Sequence, residues 1–517
     1  MTVPDVSVII AVYNTMPHLR ECLDSVMGQS IGASRLEVIA VDDGSTDGSA
    51  QELDDFAARY PGTVKVLRQA NSGGPAAPSN RALEQATGRY VYFVGADDFL
   101  AEQALERLVR AADAYDSDVV LGRMVGANGR QIPQKVYAET RMDIGLFDSP
   151  LPYSLSNTKL FRRSLIEDHG LRFPEDMPIF SDQPFTLAAF LHARRVSVLA
   201  DYVFYYAVSR DNGDNITSRA SPLSQLRGGE QVIEHVVRLL PPGAERDFVL
   251  KRHFGYELAK LLRAEFLTFT EDEQKKICES IAHLCTLYLT PGLRAQLTSP
   301  QRYRLTLAAR GDRETLCRSL REEADGVQPP ILVRGQSAYS QGDGFGDLPD
   351  DCFELTGNLA GRLAAGVEIS SIGWQRARLH LAGQLCLTGA EAKVTMDVVP
   401  AGTARALRQG RRLKADDGAA GRAPGQVAGD FRFDVEARSL LRKRAPRYSV
   451  RLYTDVAGST YELPVPLSQA PEPVRTWYRG RPYRIRARAN EHGHLTIVAV
   501  PLPLWQAVRD LFRGKRS

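Results

Sequence analysis

The sequence has no apolar run near the ~20 residues needed to cross a bilayer, so no transmembrane segment is expected. Cysteine is scarce: six in 517 residues, at 22, 278, 285, 317, 352 and 386, with no C-x-x-C pair and no cysteine–histidine cluster. That scatter argues against a zinc module and a disulfide framework, and it predicts a reducing, cytoplasmic setting. An excess of charge of one sign is also missing. Lys and Arg number 65 against 62 Asp and Glu, a formal net charge of +3, so a dedicated nucleic-acid binder is not expected. The segment Met1-Thr2-Val3-Pro4-Asp5 lacks the basic start of a signal peptide. With 43% apolar and 25% charged residues the chain is not a disordered one. Its length corresponds to about three or four domains. No internal repeat is found.

What the sequence does have is alternation. Residues 6–12 (VSVIIAV), 36–41 (LEVIAV), 64–69, 90–94 (YVYFV) and 117–122 read as strands, several of them continuous β-branched runs buried on both faces. Between them, 16–29, 51–60, 79–87 and 101–115 carry apolar residues at helical spacing, as with Leu19, Leu23, Val26 and Met27. This pattern predicts a mostly parallel sheet with helices on both faces over residues 1–221. Ligands bind such sheets at the carboxyl ends of the strands.

The texture then changes twice. Residues 222–329 read as helical, with Leu239, Leu240, Phe254, Leu258 and Leu262 among the apolar positions. Residues 330–470 give short strands with turns between, at 367–371, 377–381, 393–399, 431–435, 448–454 and 460–465, the pattern of an all-β sandwich. The Gly-, Ala- and Arg-rich stretch 401–429 is expected to be a long mobile loop inside it. Residues 471–517 are predicted as a separate basic segment, β over 481–500 and a short amphipathic helix over 504–512. From Arg475 to Arg516 there are nine Arg and one Lys against Glu491 and Asp510, a local surplus of eight.

Each strand end of the first region meets a polar loop: Ala11-Val12-Tyr13-Asn14, Val41-Asp42-Asp43-Gly44-Ser45-Thr46-Asp47, Asn71-Ser72-Gly73-Gly74 and Gly95-Ala96-Asp97-Asp98. Acceptor-rich loops suit a nucleobase edge or ribose hydroxyls, and carboxylates at a strand end suit a hard cation bridging to a phosphate. Asp, Gly and Ser also dominate ordinary turns. Four such loops at successive strand ends make turns alone a poor account of them.

The motifs VIIAVYN, VDDGSTD, NSGGPAAPSNRAL and GRYVYFVGADDFL closely resemble the family 2 inverting glycosyltransferases of the GT-A (Rossmann-like) fold, over roughly residues 5–217. FPED at 173–176, SDQPF at 181–185 and YAVSRDNGDNIT at 206–217 are similar to the branch that decorates wall teichoic acid, the poly(ribitol phosphate) N-acetylglucosaminyltransferases. The resemblance implies a UDP-sugar donor (UDP-GlcNAc is expected), a divalent Mn²⁺ or Mg²⁺ cofactor and an anionic polymer acceptor. It assigns Ala11 and Tyr13 to a uracil pocket, Asp43 rather than Asp42 to the uracil N–H, and Asn71 to the uridine. Gly95-Ala96-Asp97 falls at the D-x-D position, with Asp97 as metal ligand. Asp182 falls at the catalytic base, and Arg210, Asp214, Asn215 and Ile216 lie against the diphosphate or donor sugar.

Three departures accompany this resemblance. Gly95 replaces the first Asp of D-x-D, so Asp98 or a water is expected to compensate. Ser79 stands where the family often has a nucleotide-binding Arg, and Arg81 is expected to take over. Ser181 replaces an acidic residue before the base, which removes a like charge and should lower the pKa of Asp182. The S-D-Q-P-F run also reads as a helix start. His18, His169 and His192 have no partner at ligand spacing, and Trp374, Trp477 and Trp505 are expected to pack in cores.

Other readings are a family 2 transferase acting on another polysaccharide or glycan, and an inactive GT-A domain serving as a polymer-binding scaffold. For the C-terminal half the expectation is homo-oligomerisation together with acceptor contact. Arg484, Arg486 and Arg488 alternate and so share one strand face, with Arg479 and Arg481 just upstream. The 504–512 helix with Arg513, Lys515 and Arg516 offers a short surface for peripheral contact at the inner face of an anionic membrane.

Overall fold

The computed structural model describes residues 3–209, 220–355, 357–387, 393–400, 407–412, 427–442, 447–467 and 469–503. These divide into two compact units, 1–313 and 314–517.

The first unit is built on an eight-stranded sheet of β1 Val6–Val12, β2 Leu36–Asp42, β3 Val64–Arg68, β4 Tyr90–Gly95, β5 Phe99–Leu100, β6 Val119–Ala127, β7 Leu160–Arg162 and β8 Val196–Val208. Their order is β3-β2-β1-β4-β7-β6-β8-β5. The four strands β3, β2, β1 and β4 run parallel, as do β6 and β8, while β7 and β5 pair antiparallel to their neighbours. Helices α1 His18–Met27, α2 Ser49–Arg59, α3 Ala76–Leu83, α4 Ala104–Tyr115, α5 Arg163–Asp168 and α6 Asp182–His192 complete the α/β part. The predicted mostly parallel sheet is therefore present. β1 and β4 bury nearly every residue, as their unbroken apolar runs require.

Several elements differ from expectation, among them the unforeseen β5, β7 and α5. α3 begins at Ala76, three residues ahead of the predicted 79, because Pro78 falls in the first turn, where its missing N–H is no loss. The 13-residue β8 was not anticipated, and its pairing with β6 continues through register shifts near Arg123.

The helical region as far as Arg313 belongs to the same unit. It contains helices Pro222–Leu239, Ala244–Arg252, Glu271–Tyr288, Pro291–Gln296 and Ser299–Arg310, with a π-helical turn at His253–Leu258. Glu271–Tyr288 starts on a capping box, in which Thr270 and Glu273 satisfy each other's backbone N–H groups.

The second unit is antiparallel β. Strands β9 Ile331–Arg334 and β10 Ser337–Ser340 form a hairpin, and β11 Val367–Gln375, β12 Arg378–Leu387 and β15 Val427–Glu436 a three-stranded sheet. A seven-stranded sheet joins β13 Lys393–Pro400, β14 Leu407–Arg412, β16 Arg447–Val456, β17 Ser459–Leu463, β18 Val474–Tyr478, β19 Arg481–Ala489 and β20 Leu495–Pro501. Leu381, Met396, Phe431, Phe433, Leu452, Ile485 and Ile497 belong to one core cluster. Two expectations are corrected here. Stretch 401–429 is not simply a loop, since Leu407–Arg412 pairs with β13 from Val398 to Lys393. Residues 474–501 complete the large sheet and so are not a separate segment: β20 bonds β16 at Arg447–Ser449. The predicted 504–512 helix and its basic tail lie outside the described residues.

Candidate functional site

In the first unit Val12 pairs with Asp42 and Ala11 with Gly95, so β1, β2 and β4 end at one level. A cavity of about 600 Å³ opens above these ends, a size typical of small-molecule sites. Ala11, Tyr13, Asp43, Asn71, Ser79, Gly95, Ala96, Asp97 and Asp182 all line it. Residues far apart in sequence thus meet in one space. Arg210, Asp214, Asn215 and Ile216 lie outside the described residues.

The loop chemistry explains the walls. Gly44 takes φ +78°, and a Cβ there would stand 2.9 Å from the Asn71 backbone nitrogen, so glycine lets the two loops pass. Asn14, at φ 49°, accepts a hydrogen bond from the Thr46 N–H at 2.7 Å and donates its own N–H to Ser45 Oγ at 3.1 Å. Asp43 is buried, and its carboxylate accepts from Gln69 Nε2 at 2.7 Å and from the Ser72 hydroxyl at 2.9 Å. Neighbouring Asp42 does not line the cavity and instead accepts from the Ser45 N–H at 3.0 Å, bracing the turn. Tyr13 is 48% exposed at the rim.

Arg81 is not at the cavity. It donates to the Arg68 carbonyl at 2.6 Å and to Gln69 Oε1 at 3.4 Å. Since Gln69 in turn holds Asp43, any influence of Arg81 on a nucleotide runs through Gln69.

The glycine at the D-x-D position has a steric cause. A Cβ on Gly95 would lie 2.7 Å from Asp98 Oδ2 and 3.2 Å from Asp97 Oδ1. The Asp98 carboxylate fills the space that an aspartate at 95 would need. It accepts from the Tyr205 hydroxyl at 2.6 Å and the Val208 N–H at 2.7 Å, with Arg130 Nη1 at 3.6 Å. Burial, and then the charge of Asp97, push its pKa up to about 6. Under this turn the buried Cys22 thiol donates to the Gly95 carbonyl at 3.4 Å. Burial, with Asp98 and Asp97 behind it, raises that thiol well above the ordinary cysteine range.

Asp97 and Asp98 suit a hard divalent cation. Two carboxylates stand on one turn at the cavity, and the charge of Asp97 disfavours that of Asp98. Mg²⁺ is commonly held by one or two carboxylates plus substrate phosphates. Among the described residues no group of three or more His, Cys, Asp or Glu could hold a metal, so substrate oxygens and water would complete such a shell.

Asp182 is the first residue of α6, with Ser181 at the N-cap and Pro184 in the first turn. It is partly exposed, on the cavity it lines, and otherwise enclosed. The loss of an acidic neighbour at Ser181 does not lower its pKa. Enclosure wins and raises it to about 6 against the Arg252 and Lys159 charges and the helix amides. Two residues earlier Phe180 takes φ 63°, an uncommon conformation for an aromatic residue and worth ~1–3 kcal/mol of strain. Helix Pro222–Leu239 packs against it: a Cβ on Gly228 would meet the Phe180 ring at 2.9 Å.

Cavity residues that the sequence reading missed include Arg130, Asn157 and Phe180. The Asn128-Gly129 turn after β6 was the available signal for Arg130, whereas nothing local marks Phe180. His169 and His192 stack on each other at 4.0 Å, away from the cavity.

Residues 7–170 match the family described as glycosyl transferase family 2. This part of the chain is a family 2 glycosyltransferase domain. Residues 227–319 match the glycosyl transferase TarS linker domain. The chain is 33% identical over 327 residues to the poly(ribitol-phosphate) beta-glucosyltransferase of Bacillus spizizenii, covering 62% of this chain and 51% of that protein. It is 35% identical over 254 residues to the poly(ribitol-phosphate) beta-N-acetylglucosaminyltransferase TarS of Staphylococcus aureus, covering 48% and 44%. The chain thus spans about half the length of the curated relatives it matches. The solved structure of S. aureus TarS 1-349 with UDP-GlcNAc has a TM-score of 0.59 at 29% identity, covering 66% of this chain and 97% of that one. A longer S. aureus TarS structure has a TM-score of 0.61 at 21% identity over 97% of this chain, a likeness of fold for both the family 2 domain and the β unit.

Proposed function

We propose that the chain is an inverting glycosyltransferase that moves N-acetylglucosamine from UDP-GlcNAc to a hydroxyl of an anionic cell-wall polymer of the poly(ribitol phosphate) type. One observation carries the reading: Asp182, a carboxylate at a helix N-terminus, opens onto the same cavity as Asp43, Asn71 and Asp97. Relatives whose names give poly(ribitol-phosphate) as acceptor support the polymer class.

In this mechanism Ala11, Tyr13 and Asn71 contact the uridine, and Asp43 accepts from the uracil N–H while Gln69 and Ser72 keep it aimed. Asp182 takes the proton of the acceptor hydroxyl as that oxygen bonds to the anomeric carbon. The bond from that carbon to the UDP oxygen breaks on the opposite face, so an α-linked donor gives a β-linked product. A divalent cation held by Asp97, with Asp98 behind it, would supply positive charge for the leaving diphosphate. Arg130 adds a fixed cation at the same end of the cavity.

The acceptor surface in this proposal is the outer face of β19. Arg486 and Arg488 are exposed and Arg484 partly so, alternating with buried Ile485 and Ala487, and Arg475 of β18 stands opposite Arg484. Trp477, expected in a core, is instead 45% exposed on the neighbouring strand. The work would be done in the cytoplasm, where UDP-sugars are made, by a homo-oligomer held through the second unit. No helix among the described residues is long and apolar enough to cross a membrane.

A panel of UDP-sugars, each incubated with purified poly(ribitol phosphate) and Mn²⁺, tests the reading. Polymer-bound sugar from UDP-GlcNAc is expected. Transfer from another UDP-sugar would correct the donor, and consumption of none would overturn the enzyme.

A further inference from the structure

Lys159 is an unusual side chain to find where it is. It directly precedes β7 and is 1% exposed, and its ammonium donates to the Ser156 carbonyl, with Ser156 Oγ at 3.4 Å. Among the described residues no carboxylate stands within ion-pair distance of it; it shares the Ser156 carbonyl with the Thr186 hydroxyl of α6, lies 5.8 Å from the Phe190 ring of the same helix, and feels the charge of Asp182. A buried ammonium that makes so few bonds is expensive. Burial depresses its pKa to about 7, with Asp182 pulling the other way.

A second cation approaches Asp182 from the helical region. Arg252, the last residue of helix Ala244–Arg252, donates to Gln183 Oε1 at 2.6 Å and pairs with Glu257 Oε1 at 2.6 Å. Gln183 is the residue after Asp182. Glu257 lies in the π-helical turn His253–Leu258, and its other oxygen is 3.4 Å from His253 Nδ1. Such turns are frequent at functional sites. Helix α6 is therefore flanked by two cations from outside it, Arg252 at Gln183 and Lys159 near Thr186 and Phe190.

Resting on the reading of Asp182 as the base, we infer that Lys159 and Arg252 are positioning residues that keep the Asp182 carboxylate ionised and aimed at the cavity. The helical region then belongs to the catalytic apparatus, and its role is more than that of a tether. The magnitudes favour this. Enclosure alone shifts a carboxylate upward by as much as ~3–5 units, and an opposite charge within a few ångströms pulls it back by ~1–3. Other charged or titratable groups nearby do not supply the compensation. Glu257 and His253 are engaged with each other and with Arg252, Tyr153 faces Arg252 and Glu257, and the charges that act on Asp182 are those of Arg252 and Lys159.

The test is the pH profile of transfer from UDP-GlcNAc to poly(ribitol phosphate) for the full chain, with Asp182→Asn measured in parallel. In Lys159→Met and Arg252→Gln the acid limb of kcat should move up by about one pH unit or more, with KM for UDP-GlcNAc unchanged. Arg252→Lys, which restores the charge, should bring the limb back towards wild type. A structural lysine would behave otherwise, since replacing a poorly paired buried charge by methionine stabilises or is neutral and leaves the limb in place. Inactive Asp182→Asn together with an unmoved limb in both cation variants would overturn the inference alone. Active Asp182→Asn would instead sink the reading it rests on. If Lys159→Met fails to fold, the Arg252→Gln and Arg252→Lys pair decides in the same terms.

Discussion

Asp182→Asn separates two consequences of one side chain. Transfer should fall by ~10²–10⁴-fold with UDP-sugar affinity nearly intact, the usual value of a positioned base. The same variant should be more stable. The folded pKa of about 6 lies above the ordinary carboxylate value, so the folded state binds that proton more tightly than the unfolded one. Ionising Asp182 in place therefore costs stability above pH 6, and the gain from asparagine should fade as pH drops below it. A melting series from pH 8 to 4 measures this, and a lower Tm for the variant at pH 8 would contradict it. Wild-type transfer should decline as pH falls through about 6. Asp97→Ala should abolish metal-dependent transfer, and EDTA should do the same to the wild type. Activity indifferent to both would end the metal reading. Gly95→Asp rebuilds the common two-carboxylate motif, yet it should lower activity and Tm, because its Cβ would collide with the Asp98 carboxylate. A more active Gly95→Asp would show that Asp98 is no substitute.

At the scale of elements, legibility follows burial. Strands such as β1 and β4 were readable because an unbroken apolar run has few alternatives when both faces are covered. Strand β8 was missed because Asp201 and Tyr202 interrupt its apolar character where it passes the register shift beside Arg123. The loops around the cavity could be named from the resemblance of their motifs. Their division of labour could not: Arg81 and Ser79 are two positions apart on α3, and only packing decides that Ser79 meets the cavity while Arg81 turns to Gln69. Lys159, Asp182 and Arg252 come from three separate parts of the chain, and no spacing in the sequence links them. The Arg alternation of β19 was legible, since a strand repeats every two residues. Converting Arg484, Arg486 and Arg488 to Glu should raise KM for the polymer without changing donor hydrolysis, and the effect should shrink at high salt. An unchanged KM at low salt would remove this face from acceptor binding.

The whole molecule divides near residue 313, and residues 1–329 contain the described cavity and both cations beside Asp182. Deleting 330–517 should leave donor hydrolysis largely intact, raise KM for the polymer and lower the oligomeric state. Sedimentation and steady-state kinetics on the two proteins check both claims together. Cys22 offers a further use. Its sulfur lies wholly out of solvent beneath the Gly95 carbonyl, with its thiol held protonated, so a disulfide reagent reaches it only when the floor of the cavity opens. With the other five cysteines replaced, the labelling rate becomes a clock for that opening. A nucleotide that binds only the closed form must slow the clock by a factor of 1 + [L]/Kd. Donor affinity can then be read with no acceptor present and no turnover, even in variants that have lost their chemistry.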